Sequence, residues 1–152
     1  NEINWLDWDD NALYAQELKG FTAKLSELRK RFSMLTHDHF IHKDDTKSSV
    51  DIIWYHPSGF EMQKDHWHSH HAATLGYLIH EKAPNSPSLL CLFHAGSEPV
   101  EFQLPKIDDI QHWQVMIDTT AITEQEDVLN IPAERVITMA PFSTIVLLND
   151  CL

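Results

Sequence analysis

A mainly β domain, an antiparallel sandwich or barrel preceded by one long α-helix, is the fold class that this 152-residue chain predicts. Three observations lead there. Apolar residues near the N-terminus recur at helical spacing. After Leu35 the pattern changes to short segments rich in β-branched and aromatic residues, separated by Pro, Gly, Ser and Asp clusters. About seven such segments follow one another, as the strands of a sandwich or barrel do.

The helix is expected from Asp10 to about Phe32. Tyr14, Leu18, Phe21, Leu25, Leu28 and Phe32 are separated by alternating steps of 4 and 3 and so share one stripe. Asp9 and Asp10 offer capping oxygens at its start, while Arg29, Lys30 and Arg31 put positive charge at its end, both matching the helix dipole. Gly20 weakens the helix by roughly 1 kcal/mol relative to Ala and suggests a close neighbour there. A single helix cannot bury such a stripe alone, and a sheet would meet only part of it. The helix is therefore expected to be the last piece of another domain, and Asn1 a point inside a longer polypeptide.

Strands are expected near Val50–Tyr55, Thr74–His80, Leu89–Phe93, Val100–Leu104, Trp113–Asp118, Arg135–Met139 and Thr144–Leu148. "HPSG" at 56–59 and "GSEP" at 96–99 are turns, the second expected to close a hairpin. Trp54 and Trp113 sit in strand-like alternation and are expected in the core. Trp67 is expected to pack down the connection in which it lies.

Charge narrows the partners. With 23 acidic against 11 basic residues the net charge is −12, which excludes recognition of nucleic acid by phosphate neutralisation and attraction to anionic membranes; a neutral or cationic partner fits better. Cys91 and Cys151 lie in or beside apolar runs, where a thiol packs like a small hydrophobe, as suits a reducing cytoplasm. No apolar run approaches the ~20 residues that span a bilayer. Protonating all 11 histidines would bring the charge from −12 to −1, so poor solubility is expected near the isoelectric point of about 5.2.

"DHWHSHH" at 65–71 is the densest cluster of potential ligands. His66, His68 and His70 share a face on a strand, and His66 and His70 do so on a helix, so a metal site has to be weighed. The sharpest rival is a cupin-like site, which needs Gly, then His-x-His, then a Glu shortly after. Gly59 precedes His66 and His68, but the nearest following acid is Glu81, and the pattern fails there. A solvated polar connection is the expected reading, with only weak, adventitious metal binding. "HDHFIH" at 37–42 is read the same way.

"NEINWLDW" (1–8), "LRKRFSML" (28–35), "DIIWYHPSGFEMQKDHW" (51–67), Leu75-Gly76, "EPVEFQLP" (98–105) and "WQVMIDTT" (113–120) together resemble the glycogen debranching enzymes of bacterial glycogen operons, isoamylase-type members of the α-amylase superfamily. Ser33 stands where that family usually has Pro and His66 where it usually has Asp, and 121–134 match nothing in the pattern. The resemblance implies that 1–36 are the end of a catalytic (β/α)8 barrel, with its last helix, and 37–152 a Greek-key β-sandwich. It also implies a parent that cleaves α-1,6 branches of glycogen or limit dextrin with retention of configuration. Such chemistry needs two carboxylates about 5–5.5 Å apart, at the C-terminal ends of barrel strands. In the family those lie upstream of this segment, so no catalytic residue, cofactor or native metal is expected here, and the 152 residues alone are expected to be inactive. Trp5, Asp7 and Trp8 would belong to a loop on the barrel's polysaccharide-binding face and are the substrate-contact candidates; anchoring the final helix is their alternative role. A self-standing carbohydrate-binding sandwich is the rival function. Without its barrel, the helix stripe through Tyr14, Leu18, Phe21, Leu25 and Leu28 is expected to pair with a second copy or fold back on the sandwich.

Overall fold

A computed structural model describes residues 13–36, 40–41, 46, 48–69, 72–108, 110–121 and 130–149, and the chain divides into two compact units, Asn1–Thr36 and His37–Leu152. In the first, α1 runs Leu13–Arg31 and is followed by a 3₁₀ turn, Ser33–Thr36. The two join through Phe32 N–H to Leu28 O (3.2 Å) and Leu35 N–H to Phe32 O (3.0 Å). The apolar stripe is divided in its exposure. Leu28, Phe32 and Met34 are buried, whereas Tyr14 and Leu18 are 72% and 59% exposed. Gly20 was expected to mark a close approach, yet a Cβ built there meets nothing within 4 Å. It stands on an open stretch of helix. Asp9 and Asp10 lie outside the described residues.

The second unit is an antiparallel sandwich. Its strands are β1 Val50–Tyr55, β2 Thr74–Glu81, β3 Ser88–His94, β4 Val100–Gln103, β5 His112–Asp118, β6 Asn130–Pro132, β7 Val136–Met139 and β8 Ser143–Asn149, with a short helix α2, Lys64–Trp67, between β1 and β2. Six strands form one sheet in the order β1-β2-β3-β8-β5-β6, and β4 pairs with β7 in a second. "GSEP" is therefore a turn but no hairpin: it carries the chain from the large sheet to the small one. The reason is packing. Phe102 of β4 and Met139 of β7 are fully buried in one cluster with Leu78, Leu90, Leu92 and Leu147 of the large sheet. A β4 laid beside β3 would leave that inner face uncovered. Gly76 on β2 makes room for the crossing layer, since a Cβ there would meet Phe102 Cζ at 3.0 Å and Leu92 Cδ2 at 2.8 Å.

Registers show which residues share a face. Ile53, Leu78, Leu90, Leu147 and Val115 stand abreast on the inner face. Abreast on the opposite face stand Trp54, Tyr77, Cys91, Val146 and Ile117, and next to them Ile52, Ile79, Leu89 and Leu148. Both faces are apolar, which is why "SLLCLF" and "TIVLL" read as continuous runs rather than alternations. Trp113 is wholly buried in the core, as its alternation predicts. Trp54 is not: it lies on the outer face and is only half-buried. Strand alternation assigns it a face but not which face the second sheet covers.

Candidate functional site

The histidine cluster folds around α2. Gln63, at the helix N-cap, donates its backbone N–H to His66 Nδ1 (3.1 Å). His68 Nδ1 donates to Lys64 O (2.8 Å), closing the other end. Two of the three imidazoles singled out for metal thus spend Nδ1 on the backbone of their own turn; His70 lies outside the described residues. Among the described residues no three His, Cys, Asp or Glu side chains converge on a point that could hold a metal ion. His66 also stacks on His56, ring centroids 4.3 Å apart. His56 Nδ1 accepts from the Ser58 backbone N–H (3.2 Å), so the proton of the neutral ring sits on Nε2. Burial, reinforced by the facing His66, pushes the His56 pKa below its ordinary 6.5.

A run of aromatic rings crosses the outer face beside α2. Trp67, half exposed, meets Trp54 edge-on at 5.6 Å and 75°. Trp54 meets Tyr77 at 5.4 Å and 57°, and Tyr77 stacks on Phe93 at 5.8 Å and 21°. Trp67 therefore does hold its connection against the sheet, through Trp54, while keeping one side open. Tyr77 also faces Cys91. Burial, with Cys91 beside it, pushes the Tyr77 hydroxyl above the phenol range, and burial raises the Cys91 thiol, only partly offset by its hydrogen bond with Tyr77. Both stay neutral at neutral pH and offer no nucleophile.

At the end of this run lies a groove of about 590 Å³, formed where α2 meets the first residues of β2 and β8 and the last of β3. Its aromatic walls are Trp67, Phe93 and Phe142. His94 shapes its floor: its Nε2 donates to Glu98 O (2.7 Å), leaving Nδ1 to accept from the Thr74 hydroxyl (2.7 Å). Gly96 is required beside it, because a Cβ there would lie 2.6 Å from His94 Cε1. Phe142 is 73% exposed and held at φ 52°, a left-handed conformation that L residues rarely adopt. Among the described residues no Asp, Glu, Lys or Arg lines the groove.

Trp5, Asp7 and Trp8, the sequence-derived substrate contacts, lie outside the described residues, as do His37, His39 and His42 of "HDHFIH". Phe93, His94 and Phe142 escaped the sequence reading, because strand runs give no sign of which aromatic stays exposed. The one available signal was a bulky aromatic directly after Pro141 in a turn.

The two antiparallel sheets packed on a common core place the domain in the class of β-sandwiches. More narrowly, residues 51–145 match the isoamylase C-terminal family, and the chain belongs to it. It is also similar to glycogen operon protein GlgX homologues of Mycobacterium bovis and Mycobacterium tuberculosis, 28% identical over 135 residues. That match takes in 78% of this chain but only 18% of each relative, so the chain spans less than a fifth of the proteins it resembles.

Proposed function

We propose that this chain is the C-terminal part of a glycogen-debranching glycoside hydrolase, in which it serves as a structural or accessory domain while the catalytic carboxylates lie elsewhere in the polypeptide. The observation that carries this reading is the 135-residue match to glycogen operon protein homologues. On this reading residues 1–36 supply the last helix of a (β/α)8 barrel, whose stripe faces barrel strands and neighbouring helices in the parent. Trp5, Asp7 and Trp8 then stand near the polysaccharide. Hydrolysis of α-1,6 branches proceeds with retention through two carboxylates of the barrel and requires no metal. The cytoplasm is the compartment assigned, in keeping with the free, buried thiol of Cys91. Among the described residues no helix is long and apolar enough to cross a membrane.

The test compares two polypeptides on glycogen limit dextrin. The longer polypeptide encoded around this segment is expected to release linear chains, and the 152-residue chain none. Hydrolysis by the short chain, or its absence from the long one, would overturn the reading.

A further inference from the structure

We infer that the groove bounded by Trp67, Phe93 and Phe142 is a binding subsite for a neutral α-glucan chain, distinct from any place where bonds are cleaved. Four features of the molecule argue for it. Among the described residues no Asp, Glu, Lys or Arg lines this groove, and its two histidines, His66 and His94, each spend Nδ1 on a hydrogen bond, so the cleft suits an uncharged ligand in a strongly acidic domain. Three aromatic side chains, 50%, 38% and 73% exposed for Trp67, Phe93 and Phe142, present ring faces of the kind that pack against the C–H faces of sugars. Ser69, Thr74 and Thr144 also line it, a sparse polar complement of the kind that accompanies aromatic walls in ligand sites. Finally, Phe142 keeps its exposed ring through a backbone conformation that glycine would adopt freely. Packing gives no reason for Phe at that point, because its side chain covers almost nothing.

The choice of α-glucan rests on the proposed function, but binding at the groove is read without any hydrolysis, so the two can fail separately.

The experiment is native affinity electrophoresis of the 152-residue chain through gels containing glycogen, with a soluble β-1,4-glucan as the comparison. The unsubstituted chain is expected to be retarded by glycogen only. Phe142→Gly relieves the left-handed backbone while deleting the ring. It should melt no lower than the parent chain and yet weaken glycogen binding about three- to tenfold, a loss that unfolding cannot explain. Trp67→Ala should weaken it similarly. Phe60→Ala, at an aromatic 75% exposed but outside the groove, should leave it unchanged. Absence of glycogen retardation, or wild-type retardation of the Phe142→Gly and Trp67→Ala double variant, would overturn the inference.

Discussion

At position 66 an imidazole does what a short carboxylate would do. His66 Nδ1 accepts the Gln63 N–H at the start of α2, and the Asp found there in the resembling enzymes could accept the same hydrogen atom. His66→Asp is accordingly expected to melt within a degree or two of the parent, whereas His66→Ala should lose about 1 kcal/mol in a denaturant titration. The His56–His66 stack adds a pH dependence. Because the folded pKa of His56 lies below 6.5, the unfolded chain takes up this proton first. Its contribution to stability is complete above pH 6.5 and is lost as the pH falls below that value. Thermal melts between pH 7.5 and 5 should show the decline, and His56→Gln should make it shallower. Cys91 is predicted to react with a thiol reagent only on unfolding, its thiol being buried and held protonated. Rapid labelling of the native protein at Cys91 would contradict this. None of these roles is visible in "DHWHSHH" as a string, since a ligand histidine and a capping histidine differ only in what their Nδ1 meets.

Among the elements, α1 invites the simplest repair. Gly20 sits in open space within the helix, so Gly20→Ala should raise the stability of α1 by about 1 kcal/mol, measurable as increased helicity on heating. Its exposed half-stripe is proposed to drive self-association of the isolated chain. Leu18→Glu with Leu25→Glu should then shift sedimentation toward the monomer, and an unchanged sedimentation profile would set that proposal aside. Strands were the most legible part of the sequence. β1 begins and ends where its residues predict, and β2, β3, β5 and β8 differ by a residue or so at their ends, because runs of branched and aromatic residues punctuated by Pro and Gly leave little latitude. β6 was missed, being three residues long and ending in Pro132, too short for any period to show. Partnership was harder to read than existence. β4 looked like the mate of β3 because a turn joins them, and only the demand of Leu78, Leu90 and Leu92 for a cover sends it to the other sheet.

For the molecule as a whole, charge and apolar surface pull in opposite directions. The −12 charge keeps copies apart near neutral pH, and it vanishes at the isoelectric point of about 5.2. Solubility is expected to reach a minimum near pH 5.2 and to recover on either side, as turbidity would report. The groove, in contrast, was beyond the sequence, because its three aromatic walls come from α2, β3 and the turn before β8, brought together only by the sheet order. That order has a consequence in time. β8 is the last strand described, yet it alone joins β1-β2-β3 to β5-β6. On the ribosome, more than ninety residues of this unit must wait, with Leu89 through Leu92 unpaired on one side, until Ser143–Asn149 emerges and seals the sheet. Deleting Ser143–Asn149 would leave β1-β2-β3 and β5-β6 as two separate sheet fragments instead of a slightly smaller domain, so one late strand governs whether the large sheet exists at all.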